Sequence, residues 1–139
     1  MQQATHQISI STRGKGLYNI TREIRPWVIK QKLSSGLLTI FIPHTSASLV
    51  IQENADPDVL HDLTDFFQRL VPDGDSSYLH RSEGPDDMPA HLKSSILGSS
   101  VNIPITDGKL NLGTWQGIYL CEHRNRGGSR KLVVTIQGK

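Results

Sequence analysis

Thr114-Trp115-Gln116-Gly117-Ile118-Tyr119-Leu120-Cys121-Glu122 and Arg130-Lys131-Leu132-Val133-Val134-Thr135-Ile136-Gln137 flank a loop that contains Gly127-Gly128. How these two segments are read decides the fold. Leu132, Val134 and Ile136 recur with the period of two that marks a strand with one buried face. With the glycines between them, the pair predicts a β-hairpin.

Outward from that pair, the rest of the β-structure follows. Val101 to Ile105 reads as a strand, Thr106-Asp107-Gly108 as a turn and Lys109 to Leu112 as a short returning strand. Leu37 to Ile42 is a continuous apolar run, the pattern of a buried strand. Ser48 to Glu53 reads as its neighbour, across a bend at His44-Thr45-Ser46. Residues 6–12 alternate around Ile8 and Ile10, and Arg13 to Gly16 forms a turn. Helical spacing marks Ile20, Ile24, Trp27 and Val28, with Pro26 inside, so this helix starts late or is kinked. The clearest helix has Asp56 as N-cap and Pro57 at its first position. Its apolar face is Val59, Leu60, Leu63, Phe66, Phe67 and Leu70, and Pro72 and Gly74 end it. A short helix from about Pro89 to Leu97 is stopped by Gly98. Strands before, between and after two or three helices predict an α+β domain with largely antiparallel sheets.

The chain has 139 residues, room for one domain with a real core. Charged residues are 20%, too few for disorder given the aliphatic content. No apolar run approaches the roughly 18 residues of a membrane span. The start, Met-Gln-Gln-Ala-Thr-His, has no signal-peptide pattern, and Cys121 is the single cysteine. Together these point to a cytoplasmic protein in a reducing setting. A net charge of +2 does not call for nucleic acid. Arg124, Arg126, Arg130 and Lys131 form a local basic cluster suited to an anion.

Ionisable residues concentrate between Tyr78 and Lys93. His80 and His91, with Glu83, Asp86 and Asp87, fall within twelve residues, broken by Gly84, Pro85 and Pro89. Such a loop is suited to hold a metal or phosphate, or to move a proton. His44, at a strand end, completes a three-histidine set for a divalent metal, zinc or magnesium. The spacing matches no zinc-finger or His-Glu-x-x-His pattern, and hydrogen-bonded loop histidines are the alternative. Helix capping accounts for Asp87 and competes with chemistry for Asp86. Glu83 is harder to explain by capping, and the three carboxylates are candidates for acid–base or metal-ligand roles.

Substrate-binding candidates are Thr45 and Ser46 at the bend, Asn54 near a helix start, and Trp115 and Gln116 between two glycines. Arg124 offers a phosphate fork. A bulged strand with a packed Trp is the alternative for Gly113 to Gly117. His61 reads as surface.

In order along the chain, several motifs resemble the YjbQ-like family. They are His44-Thr45-Ser46-Ala47-Ser48-Leu49, Glu53-Asn54-Ala55-Asp56-Pro57, Glu83-Gly84-Pro85-Asp86-Asp87-Met88-Pro89-Ala90-His91, Gly113-Thr114-Trp115-Gln116-Gly117-Ile118 and Glu122-His123-Arg124. The resemblance implies one YjbQ-like domain over residues 1–139, with a β-sandwich-like core, assembled as a homotrimer. It also implies a metal or anion site at His44, His80 and His91 near the subunit boundary. The activity it implies is a secondary thiamine-phosphate synthase, joining hydroxymethylpyrimidine diphosphate to a thiazole phosphate with release of pyrophosphate. The same parts suit a metal-dependent phosphate hydrolase or a non-catalytic binder of a small phosphorylated metabolite.

Overall fold

Two antiparallel sheets and three helices make up the computed structural model, which describes residues 1–139. The elements run β1 (Gln2–Thr12), β2 (Gly16–Asn19), α1 (Thr21–Lys30), β3 (Ser35–Phe41), β4 (Ala47–Glu53) and α2 (Pro57–Leu70). They continue with α3 (Asp87–Leu97), β5 (Ser100–Thr106), β6 (Lys109–Leu110), β7 (Gln116–Glu122) and β8 (Gly128–Gly138). One sheet has five strands in the order β1-β8-β3-β5-β6 and the other has three, β2-β7-β4. The α+β, sandwich-like expectation holds.

The inner rows of the two sheets form the core. Leu38, Ile40, Ile103, Leu132, Val134 and Ile136 come from the larger sheet, and Leu49, Ile118 and Leu120 from the smaller; all are at most 2% exposed. Each such side chain contributes about 1.5–3 kcal/mol by leaving water. The smaller sheet is covered on its other side, where Tyr119 and Cys121 are also buried, by α2 against β2 and α3 against β4.

The hairpin expected from the last two segments does not form. β7 pairs with β2 and β4, whereas β8 lies between β1 and β3 in the other sheet. Alternation tells which face of a strand is buried but not which strand lies beside it. The chain is steered across at Gly127 (φ +67), where a Cβ would lie 2.7 Å from both the Gly14 nitrogen and the Thr12 oxygen. Likewise Leu37–Ile42 and Ser48–Glu53 are not sheet neighbours, because residues 42–46 carry the chain from one sheet to the other. Both crossings lie at one rim, since Ala47 faces Glu122 in register and Phe41 faces Val133.

Other local readings hold with adjustments. Asp107 (φ 51) and Gly108 (φ 78) make the two-residue turn between β5 and β6. Asp56 caps α2 by accepting the Asp58 N–H at 2.9 Å, with Pro57 opening the helix. Phe66 and Leu70, expected on the buried face of α2, are about half exposed, because α2 packs chiefly against the edge strand β2. α1 runs through Pro26 from Thr21, so it does not start late. No helix is long and apolar enough to cross a membrane.

Candidate functional site

The N-terminus of α3 and the loop before it meet the crossing segments at that rim. Asp87 lies in the first turn of α3 and points inward, its side chain 3% exposed. Its Oδ2 is hydrogen-bonded to His80 Nε2 at 2.7 Å and lies 2.9 Å from His91 Nε2, and its Oδ1 accepts from Arg124 Nη1. His91 follows Asp87 by four residues, so helical periodicity stacks the two on one face. Glu83 Oε2 stands 3.2 Å from His80 Nε2. One donor atom from each of His80, Glu83, Asp87 and His91 thus falls within a 4.8 Å group.

Asp86 completes the anionic side. Its Oδ2 accepts from Arg124 Nε at 3.0 Å and from the Asn125 N–H at 2.8 Å. Arg124 Nη2 donates to the Glu83 carbonyl at 3.0 Å. The capping expectation for Asp87 is therefore replaced: its carboxylate is occupied by two rings and a guanidinium rather than by backbone N–H groups. The phosphate fork expected of Arg124 is replaced too, because three of its donors hold Asp86, Asp87 and the Glu83 carbonyl. Arg124 positions the carboxylates.

His44 does not join this group. Its Nε2 accepts the Lys131 backbone N–H at 2.9 Å, and its Nδ1 stands 3.4 Å from Arg130 Nη1. The expected three-histidine set becomes, within one chain, two histidines and two carboxylates. His44 and His91 nonetheless line one cavity of about 480 Å³, together with Thr45, Ser94, Ser95 and Ser99. The backbone carbonyl of Thr45 accepts from His91 Nδ1 at 2.8 Å. This fixes the ring's hydrogen on Nδ1 and leaves Nε2 as the lone-pair atom of the neutral ring.

The substrate-binding candidates divide. Thr45, Ser46 and Arg124 belong to this rim. Asn54, Trp115 and Gln116 do not: Glu53 pairs with Gln116 at the opposite end of the β4–β7 ladder. Six steps of a strand separate the ends by about 20 Å. There Gln116 Oε1 accepts the Gly113 N–H at 2.8 Å, Asn54 Nδ2 donates to the Gln116 carbonyl at 3.3 Å, and Trp115 is 64% exposed.

Beneath the rim lies a buried ion pair not anticipated from the sequence. Glu122 is fully buried and binds Arg130 through two bonds, Nε to Oε1 at 2.8 Å and Nη2 to Oε2 at 2.5 Å. It also accepts from Thr12 Oγ1 at 2.5 Å and from the Arg124 N–H at 3.1 Å. Arg130 Nη2 reaches Ser46 at Oγ (2.9 Å) and at the carbonyl (3.1 Å). A signal existed: Glu122 continues the inward row Ile118, Leu120, and Arg130 that of Leu132, Val134, Ile136. Opposite charges in two core-facing rows call for a buried pair. Next to it His123, bonded to Ser48 Oγ at 2.9 Å, is pushed by burial down to about 3, so this ring is neutral. Lys93 is buried on the inner face of α3.

The electrostatics of the outer cluster follow from its contacts. The Asp87 hydrogen bond raises His80 above its ordinary 6.5, with Glu83 adding to it. Burial works to raise Asp86 and Asp87, but the Asn125 N–H and Arg124 on the first, and His80, Glu83, His91 and Arg124 on the second, outweigh it and hold both below 3.8. A raised histidine contributes stability in full below its unfolded value, and loses it as pH rises through the folded one. Depressed carboxylates contribute above their unfolded value and lose it in acid. In metal-free protein the cluster is therefore strongest between about pH 3.8 and 6.5. NMR titration of the metal-free protein should place the His80 ring midpoint above 6.5; a midpoint at or below 6.5 contradicts this geometry.

Three carboxylates stand here against one guanidinium. That leaves a residual charge of two, which one divalent cation would neutralise. Three N···O separations of 2.7, 2.9 and 3.2 Å fall short of the roughly 3.3 Å edge of a tetrahedron with 2.0–2.1 Å arms, while the group as a whole extends to 4.8 Å, so the donor types suit a metal and the side chains would have to rearrange around it.

Comparison with known proteins agrees with the motifs. The family described as UPF0047 protein YjbQ-like matches residues 6–139. The chain belongs to the YjbQ-like family. A UPF0047 protein of Synechocystis is 51% identical over 130 residues, covering 94% of this chain and 88% of its own. The UPF0047 protein YjbQ of Escherichia coli O157:H7 is 46% identical over 133 residues, covering 95% and 96%. Among solved structures, a YbjQ-like protein of unknown function from Sulfolobus solfataricus superposes with a TM-score of 0.91 at 27% identity, covering 99% of each chain. An uncharacterized conserved protein of the family from Clostridium acetobutylicum gives 0.84 at 38%, covering 95% of this chain and 99% of that one. YjbQ-like proteins thus share this fold, while the function attached to these names is unknown.

Proposed function

We propose that this YjbQ-like protein is a divalent-metal-dependent enzyme acting on a small phosphorylated metabolite, with His80, His91, Asp87 and Glu83 holding the metal. The convergence of two ring nitrogens and two carboxylates, with two negative charges left over, carries this reading. Two imidazoles in the donor set favour zinc over magnesium, which prefers oxygen and water. A bound divalent ion supplies charge neutralisation on a phosphoryl or pyrophosphoryl oxygen. Thr45 orients His91 through its carbonyl, and Arg124 keeps Asp87 ionised and aimed. Glu83 is more than half exposed and engages only one oxygen, at His80, so its free oxygen can take a proton from an incoming nucleophile.

The thiamine-phosphate synthase reading needs an aromatic wall for its rings. The Trp115 end of one chain lies far from its own histidines, so that reading depends on a second copy. A homotrimer is proposed on a separate observation. The outer face of the five-stranded sheet carries three rows across β1, β8, β3 and β5. They are Gln3-Gln137-Leu37-Pro104, Thr5-Thr135-Thr39-Asn102 and Gln7-Val133-Phe41-Ser100, none of them ionisable. The helices pack mainly elsewhere, and these three uncharged rows, bounded by Lys131 in the next one, suit contact with copies of themselves. Light scattering should give a trimer mass, reduced to a monomer by Thr39→Lys; a monomeric native chain at micromolar concentration ends the proposal. The single buried free thiol, Cys121, pushed up to about 12 by burial, agrees with a reducing, cytoplasmic setting.

The enzyme reading is tested by metal analysis of protein purified without chelator, followed by turnover of simple phosphomonoesters and of the two thiamine precursors. Stoichiometric zinc, and turnover lost on stripping and regained on reloading, are expected. Protein that takes up no divalent metal, or activity indifferent to chelator, overturns it. Precursor turnover without phosphomonoester hydrolysis selects the synthase.

A further inference from the structure

The cavity beside His91 adjoins a second one of about 440 Å³ that reaches Arg130, the two sharing His44, Thr45 and Ser99 in their walls. The first has no apolar residue in its wall. Its serines divide by role. Ser94 Oγ donates to the Ala47 carbonyl and Ser95 Oγ to the His91 carbonyl, whereas the hydroxyls of Thr45 and Ser99, which border both cavities, have no hydrogen-bond partner within the chain.

Two donors meet in this cleft without an acceptor. His44 Nε2 accepts the Lys131 N–H, so the neutral ring carries its hydrogen on Nδ1. That Nδ1 stands 3.4 Å from Arg130 Nη1, itself an obligate donor. Glu122 and Ser46 occupy Arg130 through Nε and Nη2, so His44 is the one polar partner of Nη1. Two N–H groups cannot bond one another, and a positive guanidinium facing an N–H lacks the oxygen both require. Burial, then Arg130, holds His44 below its ordinary 6.5 and keeps the ring neutral near pH 7.

We propose that this cleft is an oxyanion site, in which an oxygen of a phosphate or carboxylate group bridges Arg130 Nη1 and His44 Nδ1, with Thr45 and Ser99 hydroxyls beside it. Arg130 is the charged anchor, and the buried Glu122 carboxylate fixes its orientation through the opposite edge of the fork. The anion end of the substrate is thus held by Arg130, while His91, one member of the cluster, lines the adjoining cavity. Phosphate as the physiological group rests on the function proposed above; the oxyanion site itself stands without it.

The test titrates inorganic phosphate and acetate, by calorimetry, into the full-length protein stripped of metal and into the same protein reloaded with zinc. Metal-free wild type should bind phosphate at millimolar concentration or better. His44→Ala should weaken binding about tenfold, the loss of one hydrogen bond to a charged group. Arg130→Lys, which keeps a cation beside Glu122, should weaken it at least as much. His44→Ala decides alone if the lysine variant does not fold. Acetate binding as tightly as phosphate assigns a carboxylate site, and phosphate preference a phosphate site. Metal-free protein that binds neither anion, or binding unchanged in His44→Ala, overturns the proposal. Anion binding without zinc uptake would remove the metal-enzyme reading and leave this site standing; zinc uptake without anion binding would do the reverse.

Discussion

Asp87→Asn should abolish metal uptake and lower the melting temperature together. The substitution keeps size and removes the charge that His80, His91 and Arg124 share, from a side chain 3% exposed. Asp87 accepts from His80 on one oxygen and from Arg124 on the other, so the carboxamide would turn its NH2 group toward one of these donors. Removing one partner of a buried ion pair costs about 3–5 kcal/mol. Arg124 is partly exposed and keeps Asp86, so the lower figure applies, about 3 kcal/mol or some 10 °C in a chain of this size. Replacing even an outer-shell partner lowers metal affinity 10–100-fold, so losing a ligand should lower zinc affinity by at least about 100-fold. Competition with a zinc-binding dye and a melting curve check both. A variant that binds zinc like wild type removes Asp87 from the site.

Glu122→Gln should have the largest effect on stability of any single polar change. Its carboxylate joins Thr12 of β1, Arg130 of β8 and the Arg124 N–H at the rim where the two sheets meet. The glutamine would turn a donor toward Arg130 and leave a nearly buried guanidinium without its counterion. About 4 kcal/mol is expected, a fall of about 2 M in the urea midpoint at a slope near 2 kcal/mol/M. Burial works to raise Glu122, but Arg130, Thr12 and the Arg124 N–H outweigh it and hold the group below its ordinary 4.5. Its contribution is therefore present above about 4.5 and lost as pH falls through the depressed folded value, so the difference between wild type and variant should shrink in acid. Glu122→Gln with Arg130→Met should recover part of the loss, because the unpaired charge is gone. A midpoint shift under about 0.5 M would show that the pair does not hold the rim.

Local patterns located the elements and chemistry located half of the site. The Asp56-Pro57 start of α2, the Asp107-Gly108 turn and the alternation in β8 act over a few residues, where backbone sterics and capping decide. The loop from His80 to His91 was legible as a site because glycine, prolines and ionisable groups crowd there with little to bury. Its internal arrangement was less legible. Asp87 reads as a capping residue by position, yet it takes both rings because the crossing segments bring Arg124 and Thr45 against α3.

Periodicity and turn chemistry, written locally along the chain, were enough to establish an α+β protein of antiparallel strands with a crowd of ionisable residues from His80 to His91. Which sheet each strand enters, that His44 faces Arg130 rather than the His80–His91 cluster, and that Trp115 stands at the far end were settled only by long-range packing. A strand's alternation specifies its buried face and leaves its neighbours open, while closure of the sandwich core selects those neighbours. That selection placed the crossings, and with them the site, at one rim.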